Sequence, residues 1–560
     1  MTQAQEQNWW KEAVIYQIYP RSFQDSNGDG IGDLPGIISR LDYLKSLGVD
    51  VLWLCPFYSS PNDDNGYDIS DYYGIMEEFG TMADFDALLA GAKERGLRVI
   101  IDLVVNHSSD EHEWFLESRQ AKDSPKRDWY YWKPAKADGS PPNNWRSIFG
   151  GSAWEWDETT QEYYLHQFSK KQPDLNWESE DLRQAVYAMM RWWLDKGVDG
   201  FRMDVIPFIS KDLSFPDFPE DFDGDLLKYY ANGPRVHEFL QEMHREVLQH
   251  YDITTVGEGP GVGREHALLY IGKDRKELDM IFHFGHMTLD RVPDDFLGFR
   301  EWSVREMKDI FFAWDQTLKD DGWASIFLGN HDFPRIVSRF GNDGEYHNAS
   351  AKCLATLLMT LRGTPYVYQG DEIGMTNTHF EGIHEYQDLN TLNFYEEWKE
   401  EGKDLDKFVK TQLKTSRDHA RTPIQWSSES QAGFTTGKPW LRLSHNWKQI
   451  NVAAQEEDPN SILNYYRKAI AFRKENPTLV YGEVEPLLRE HEQIFAFLRK
   501  DKNQQLLVLL NLSDQDVEFQ LPKHVNAGRV LLHNYGQVAL PGEQDWWILQ
   551  PWEARVYAVD

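Results

Sequence analysis

From Val14 the chain alternates short, unbroken apolar runs with stretches whose apolar residues recur at helical spacing. Val14–Tyr19, Val51–Leu54 and Arg98–Val105 read as buried strands, and Ile37–Leu47 and Asp84–Arg95 as the helices between them. Repeated strand–helix units predict a parallel sheet. The pattern breaks after His107: residues 108–177 are rich in Trp, Tyr, Pro, Asn and Lys and have no strong helical period, as a small inserted domain would be. It resumes with a helix at Asp181–Lys196 and strands at Gly200–Val205, Ile253–Val256, Met280–Phe284, Ala324–Leu328 and Thr364–Tyr368. Eight alternating units predict an α/β fold, a closed (β/α)8 barrel whose site lies at the C-terminal ends of the strands. The barrel is assigned to 1–107 and 178–480, with an irregular polar insertion at about 370–439 and a helix at Ser461–Glu475. From about Tyr481 short strands take over (Gln493–Leu498, Gln505–Leu510, Val517–Gln520, Val530–Leu532, Ala554–Ala558), which predicts a C-terminal all-β sandwich over 481–560.

Three strand-like runs end in an acid: Gly200–Asp204, Thr255–Glu258 and Leu328–Asp332. On a barrel these ends meet, so Asp204, Glu258 and Asp332 form one candidate site. Two carboxyl groups suffice to cleave a glycosidic bond, one attacking or activating water and the other protonating the leaving oxygen. A third steadies the positive charge of an oxocarbenium-like transition state. Arg202, two residues before Asp204, points the same way on the strand and favours its ionised form. Glu258 sits in a glycine-rich bend, and Asn-His pairs at Asn106–His107 and Asn330–His331 end two further strands.

The net charge of −33 argues against nucleic acid or an anionic membrane as partner. Aromatics reach 14 %, with 22 Trp, which suits either large cores or sugar stacking. Cys55 and Cys353 lie in apolar surroundings and read as buried free thiols. The N-terminus lacks the basic start and apolar stretch of a signal peptide, and no run is long enough to span a membrane, so a cytoplasmic enzyme is expected. Asp25, Asn27 and Asp29 place oxygen donors at alternate positions, the spacing of a calcium loop or of a polar turn. An EF-hand is excluded, because Gly36 stands where its twelfth-position Glu is required.

Val104–His107, Gly200–Asp204, Glu258 and Asn330–Asp332 resemble the ordered signature regions of the α-amylase superfamily of retaining glycoside hydrolases. Gln172–Asn176, Ala13–Phe23, Asn65–Tyr72 and Ala420–Trp426 resemble its oligo-1,6-glucosidase branch, so that the likeness spans the whole chain. The resemblance implies an exo-acting α-glucosidase, with Asp204 as nucleophile, Glu258 as acid/base and Asp332 holding the sugar 2- and 3-hydroxyls. It implies that Asp68 and Arg421 grip the non-reducing glucose, that His107, Arg202 and His331 hydrogen-bond it, that Tyr67 stacks beneath it and that Phe168 forms a pocket wall. It also implies a structural Ca2+ or Mg2+ held by Asp25, Asn27, Asp29, Asp33 and the Ile31 carbonyl, with no organic cofactor.

Linkage preference in that branch follows the residue after the nucleophile. Here it is Val205, which goes with α-1,6 bonds and short isomalto-oligosaccharides. Phe333, Gly259 and His419 depart from the common residues, the first two beside the acids, so acceptor preference is open. The alternative is a sucrose isomerase or α-glucosyltransferase using the same intermediate. Isomerases carry Arg-Leu-Asp-Arg-Asp at the pocket rim, which Thr288-Leu289-Asp290-Arg291-Val292 matches by half. A non-catalytic scaffold of the same fold is the other rival, and the retained acids speak against it.

Overall fold

The computed structural model describes residues 8–292, 295–536 and 546–559. Eight parallel strands make one sheet: β1 Ile15–Ile18, β2 Val51–Leu54, β3 Arg98–Leu103, β4 Gly200–Met203, β5 Thr254–Glu258, β6 Met280–Phe282, β7 Ser325–Ile326 and β8 Thr364–Tyr368. Their spatial order is β6-β5-β4-β3-β2-β1-β8-β7. At the remaining seam the Ser325 hydroxyl donates to the Ile281 carbonyl at 2.8 Å, bridging β7 to β6 and nearly closing the barrel. Every residue of β1, β2, β4, β5 and β8 is buried. Both faces are covered, which is why these strands read as continuous apolar runs rather than alternating ones.

β7 is shorter than the expected Ala324–Leu328. Its ladder with β8 stops at Ile326 opposite Pro365, which has no N–H to extend it. The helix expected at Ile37–Leu47 is two helices, Leu34–Ser39 and Leu41–Leu47, broken at Arg40. There the Arg40 guanidinium turns onto Gln24 Oε1 at 2.6 and 2.8 Å and over the Trp426 ring.

After β3 the chain leaves the barrel and builds a three-stranded antiparallel sheet from Trp132–Lys133, Trp154–Asp157 and Glu162–Leu165. It returns through bridges His107–Asp174 and Tyr130–Leu175. A fully buried ion pair, Lys211 Nζ to Asp174 Oδ2 at 3.1 Å, ties the returning segment to the chain after β4. The region expected to be irregular, 370–439, contains two helices, Leu389–Glu400 and Leu405–Thr415. The first buries only Thr391, so it carries little apolar periodicity to read.

The C-terminal strands form a five-stranded antiparallel sheet and a two-stranded one, Val517–Gln520 with Trp546–Leu549. Ile494, Ala496 and Leu498 face a core shared with Phe519 and Trp547, whereas Phe495 and Phe497 alternate to the barrel side. Among the described residues no helix is long and apolar enough to cross a membrane.

Candidate active site

The three acids predicted from strand ends meet at the C-terminal mouth of the barrel. The centre of the site is Arg202 on β4, 1 % exposed. Its Nη1 donates to Asp204 Oδ1 at 2.6 Å and to Asp102 Oδ1 at 2.7 Å, and its Nη2 lies 2.7 Å from Glu258 Oε2. The Asp102 carboxylate, from β3, also accepts from Trp53 Nε1 at 3.0 Å and Tyr67 OH at 3.3 Å. One cation thus holds three buried carboxyl groups. Asp204 and Glu258 share one guanidinium fork, an arrangement that suits the close pair of carboxyl groups of a retaining glycosidase.

Burial pushes Glu258 up to about 8, against the pull of Arg202. Burial likewise pushes Asp204 up to about 7, with Arg202 opposing it. Arg202 favours the ionised form of Asp204 as expected, but desolvation outweighs it. Burial raises both carboxyls, so the pair holds a proton between them, as a nucleophile and an acid/base require. Asp102 is raised by burial to about 6.

Asp332 is different. Burial opposes its ionisation, but His331, Arg417 and Arg421 hold it well below the usual carboxylate range. Its Oδ1 accepts from Arg421 Nη2 at 2.9 Å and Arg417 Nη1 at 3.1 Å. Burial lowers His331 to about 3, so the ring is neutral. Gln17 Nε2 lies 2.8 Å from its Nδ1, leaving the Nε2 hydrogen for Tyr67 OH at 2.7 Å or Asp332 Oδ2 at 3.2 Å. The Tyr67 ring stacks on His331 at 5.3 Å and 5°.

Not every expected residue faces the pocket. Asp68 is fully buried, and its two oxygens accept the backbone N–H groups of Asp63 (2.8 Å) and Asp64 (3.0 Å). It fastens a turn and pairs with neither Arg417 nor Arg421. The carboxylate beside the arginines is Asp64, whose Oδ2 accepts from Gln172 Nε2 at 3.0 Å and whose Oδ1 lies 3.4 Å from Arg417 Nη2. Arg417 also lies 2.6 Å from Asp388 Oδ1. Arg421 does reach the site, with its Nε on the His331 carbonyl at 3.1 Å. Asp102, Asp64, Asp388 and Arg417 are missed by the sequence reading. Asp102 had a signal, a lone charge inside an apolar strand, as did Arg417, four residues before Arg421 and therefore on the same helical face.

His107 Nε2 donates to the Tyr67 carbonyl at 3.1 Å, and its ring packs on Phe168 at 5.1 Å. Phe168 and Phe149 make an aromatic wall with centroids 5.6 Å apart, and the Arg417 guanidinium lies over Phe149. Phe333 stacks on Phe284 at 6.0 Å with Arg339 against its ring, and lines a cleft of about 790 Å³ together with Asp332, Arg417, Arg291 and Asn390. The cleft reaches the trio at Asp332, while Asp204 and Glu258 lie deeper. Elsewhere Arg146 pairs with Glu397 at 2.6 Å, joining the inserted sheet region to helix Leu389–Glu400. Gly259 has a steric cause: a Cβ there would lie 2.8 Å from the Phe282 carbonyl oxygen. His419 faces Gln412 O, away from the carboxyl trio.

In the oxygen-rich loop, Asn27 and Gly28 donate to Asp25 Oδ1, Asp29 to Asn27 Oδ1 and Ile31 to Asp29 Oδ1, at 2.8–2.9 Å. Asp33 accepts from Gly36 N at 2.6 Å and Ser26 N at 3.1 Å. Asn27 Oδ1, Asp29 Oδ1 and Asp33 Oδ1 each accept one bond and keep a lone pair for a hard cation, whereas both oxygens of Asp25 and Asp33 Oδ2 already accept two. Among the described residues no three His, Cys, Asp or Glu side chains converge on a common metal position, so such an ion would need Asn27 and main-chain oxygen as well.

The alpha amylase catalytic domain family matches residues 17–482, and the alpha-amylase SusG C-terminal domain family matches 494–556. An oligo-1,6-glucosidase of Parageobacillus thermoglucosidasius is 54 % identical over 561 residues, covering 99 % of both chains. A trehalose-6-phosphate hydrolase of Bacillus subtilis (strain 168) is 48 % identical, covering 98 % of both. A mutant isomaltulose synthase from Erwinia rhapontici NX5, solved with sucrose, superposes with a TM-score of 0.96 at 44 % identity, covering 99 % of both chains.

Proposed function

The chain belongs to the α-amylase family, and we infer that it is a retaining oligo-1,6-glucosidase releasing glucose from the non-reducing ends of short α-1,6-linked saccharides. The observation that carries this reading is the Arg202 fork, which holds Asp204 and Glu258 side by side, both raised by burial. Asp204 attacks the anomeric carbon while Glu258 protonates the departing glycosidic oxygen. The resulting β-glucosyl ester is opened by a water whose proton returns to Glu258, giving α-glucose. The ionised Asp332, fixed by two arginines, stabilises the developing positive charge and holds sugar hydroxyls. Asp64, Arg417 and Gln172 receive the far end of the same glucose.

The Val205 side chain beside the nucleophile supports the α-1,6 preference. The half match at Thr288–Val292 and the likeness to isomaltulose synthases keep sucrose isomerisation as the second reading. Its central Asp290 is committed to Arg339, at 2.6 and 2.9 Å. Proton NMR of a fresh isomaltose digest tests the main reading, with α-glucose expected first; initial β-glucose contradicts the double displacement. Sucrose converted to isomaltulose rather than to glucose and fructose moves the assignment to the isomerase.

Asp25, Asn27, Asp29, Asp33 and the Ile31 carbonyl would hold a structural Ca2+ or Mg2+, which would brace the loop after β1. Chelation is expected to lower the thermal midpoint and leave initial turnover at 25 °C unchanged; an unchanged midpoint removes the metal. The two buried thiols, Cys55 and Cys353, suit a reducing compartment, which supports a cytoplasmic setting.

A further inference from the structure

Val205 follows the nucleophile and has φ 33° and ψ 41°, a left-handed conformation that a β-branched residue rarely adopts. The surroundings impose it. Asp204 N–H is tied to the Leu103 carbonyl at 3.0 Å, Phe208 N–H closes a turn onto the Val205 carbonyl at 2.9 Å, and the Val205 side chain packs in an apolar cluster with Tyr131 and Phe208. Such strain persists where the fold over-determines it, commonly at functional positions. Its consequence here is directional: the Val205 N–H points at Glu258 Oε2 and donates to it at 3.0 Å.

We propose that the strained main-chain N–H of Val205 is a positioning group for the acid/base, which together with Arg202 occupies Glu258 Oε2 and so confines the transferable proton to Oε1. An oxygen with a guanidinium nitrogen 2.7 Å away and an amide N–H donating to it at 3.0 Å is the carbonyl oxygen of the protonated carboxyl. Oε1 is the atom left to carry hydrogen towards Asp204 in the resting site and towards the leaving oxygen during cleavage. Without the second donor the carboxyl can turn about its terminal bond and exchange the roles of its oxygens. The groups facing Glu258 are Arg202 and Asp204 from β4, Asp102 from β3 and Asp332 after β7. Among these only Arg202 is a cation, so the Val205 amide is the other donor that favours the ionised form.

The inference rests on Glu258 being the acid/base, and the test separates the two. Replacing Val205 by its α-hydroxy acid, with the side chain kept and the amide made an ester, deletes this N–H alone. The alkaline limb of kcat/KM on isomaltose is expected to move up by about 0.5 unit or more, because a donor to the carboxylate is lost. The kcat is expected to fall about tenfold with KM nearly unchanged. Val205→Gly relieves the backbone and is expected to raise the thermal midpoint while moving the limb in the same direction. Val205→Asn, which tolerates the left-handed region, is expected to restore the wild-type limb. An ester enzyme with an unchanged pH profile and kcat overturns the positioning role. Glu258→Ala retaining full isomaltose activity overturns the underlying acid/base reading instead.

Discussion

Arg202 in the barrel mouth and Arg499 beneath the C-terminal sheet are both buried guanidinium groups, and their partners are opposite in kind. Arg202 holds three carboxyl groups, and although burial works to lower it, Asp102, Glu258 and Asp204 raise it well above the usual range. Among the described residues Arg499 hydrogen-bonds backbone carbonyls alone: Thr360 at 2.5 Å, Leu479 at 2.7 Å, Gly482 at 2.9 Å and Val480 at 3.4 Å. Beside it Arg473 binds the carbonyls of Met359, Leu361 and Leu479, and burial lowers it to about 9. The pair staples the chain before β8 to the C-terminal strands. In these two places the buried cation among titratable groups serves the chemistry, whereas the one among dipoles holds chain together.

The strongest test of that division is Asp204→Asn, expected to lower kcat/KM on isomaltose at least about 10⁴-fold with the thermal midpoint unchanged or higher. A loss below tenfold dissolves the functional half of the contrast. Arg499→Met strikes the other half: it strands buried carbonyl oxygens and is expected to cost about 3 kcal/mol, read as a lower melting temperature, with kcat per folded molecule within about twofold. A collapse of activity in folded Arg499→Met would mean that the staple also governs the site. Asp64→Asn is expected to lower kcat/KM about 10²-fold, whereas Asp68→Asn, which touches only the turn, stays within about threefold. The reverse order restores Asp68 as the sugar ligand.

The smallest effect is the most specific. Burial raises Glu258 above its ordinary 4.5 to about 8, so the folded protein holds a proton that the unfolded chain releases. That contribution is fully present below pH 4.5 and is lost as pH rises through about 8. The melting temperature of the wild type should therefore fall between pH 6 and 9 more steeply than that of Glu258→Gln. Equal slopes would place the proton elsewhere.

Much of this site was legible because barrel strands, covered on both faces, interrupt their apolar runs only where chemistry requires it. Asp204, Glu258 and Asp332 stand out for that reason. Asp64 and Asp68 did not separate, because both lie in one polar stretch, Asn62–Tyr72, and only the turn decides which faces the arginines. Asp388 was hidden by distance, lying more than fifty residues beyond Asp332 and capping a helix whose polar faces gave no period. The C-terminal strand Glu483–Leu487 alternates weakly and escaped for the same reason.

The two-residue β7, latched to β6 through Ser325, is the thinnest stave of the barrel, yet it delivers Asn330, His331 and Asp332. Amide exchange should therefore open this edge ahead of β4 and β5. Heat or denaturant would then unseat the clamp on the sugar hydroxyls while the nucleophile and its proton donor still stood in place.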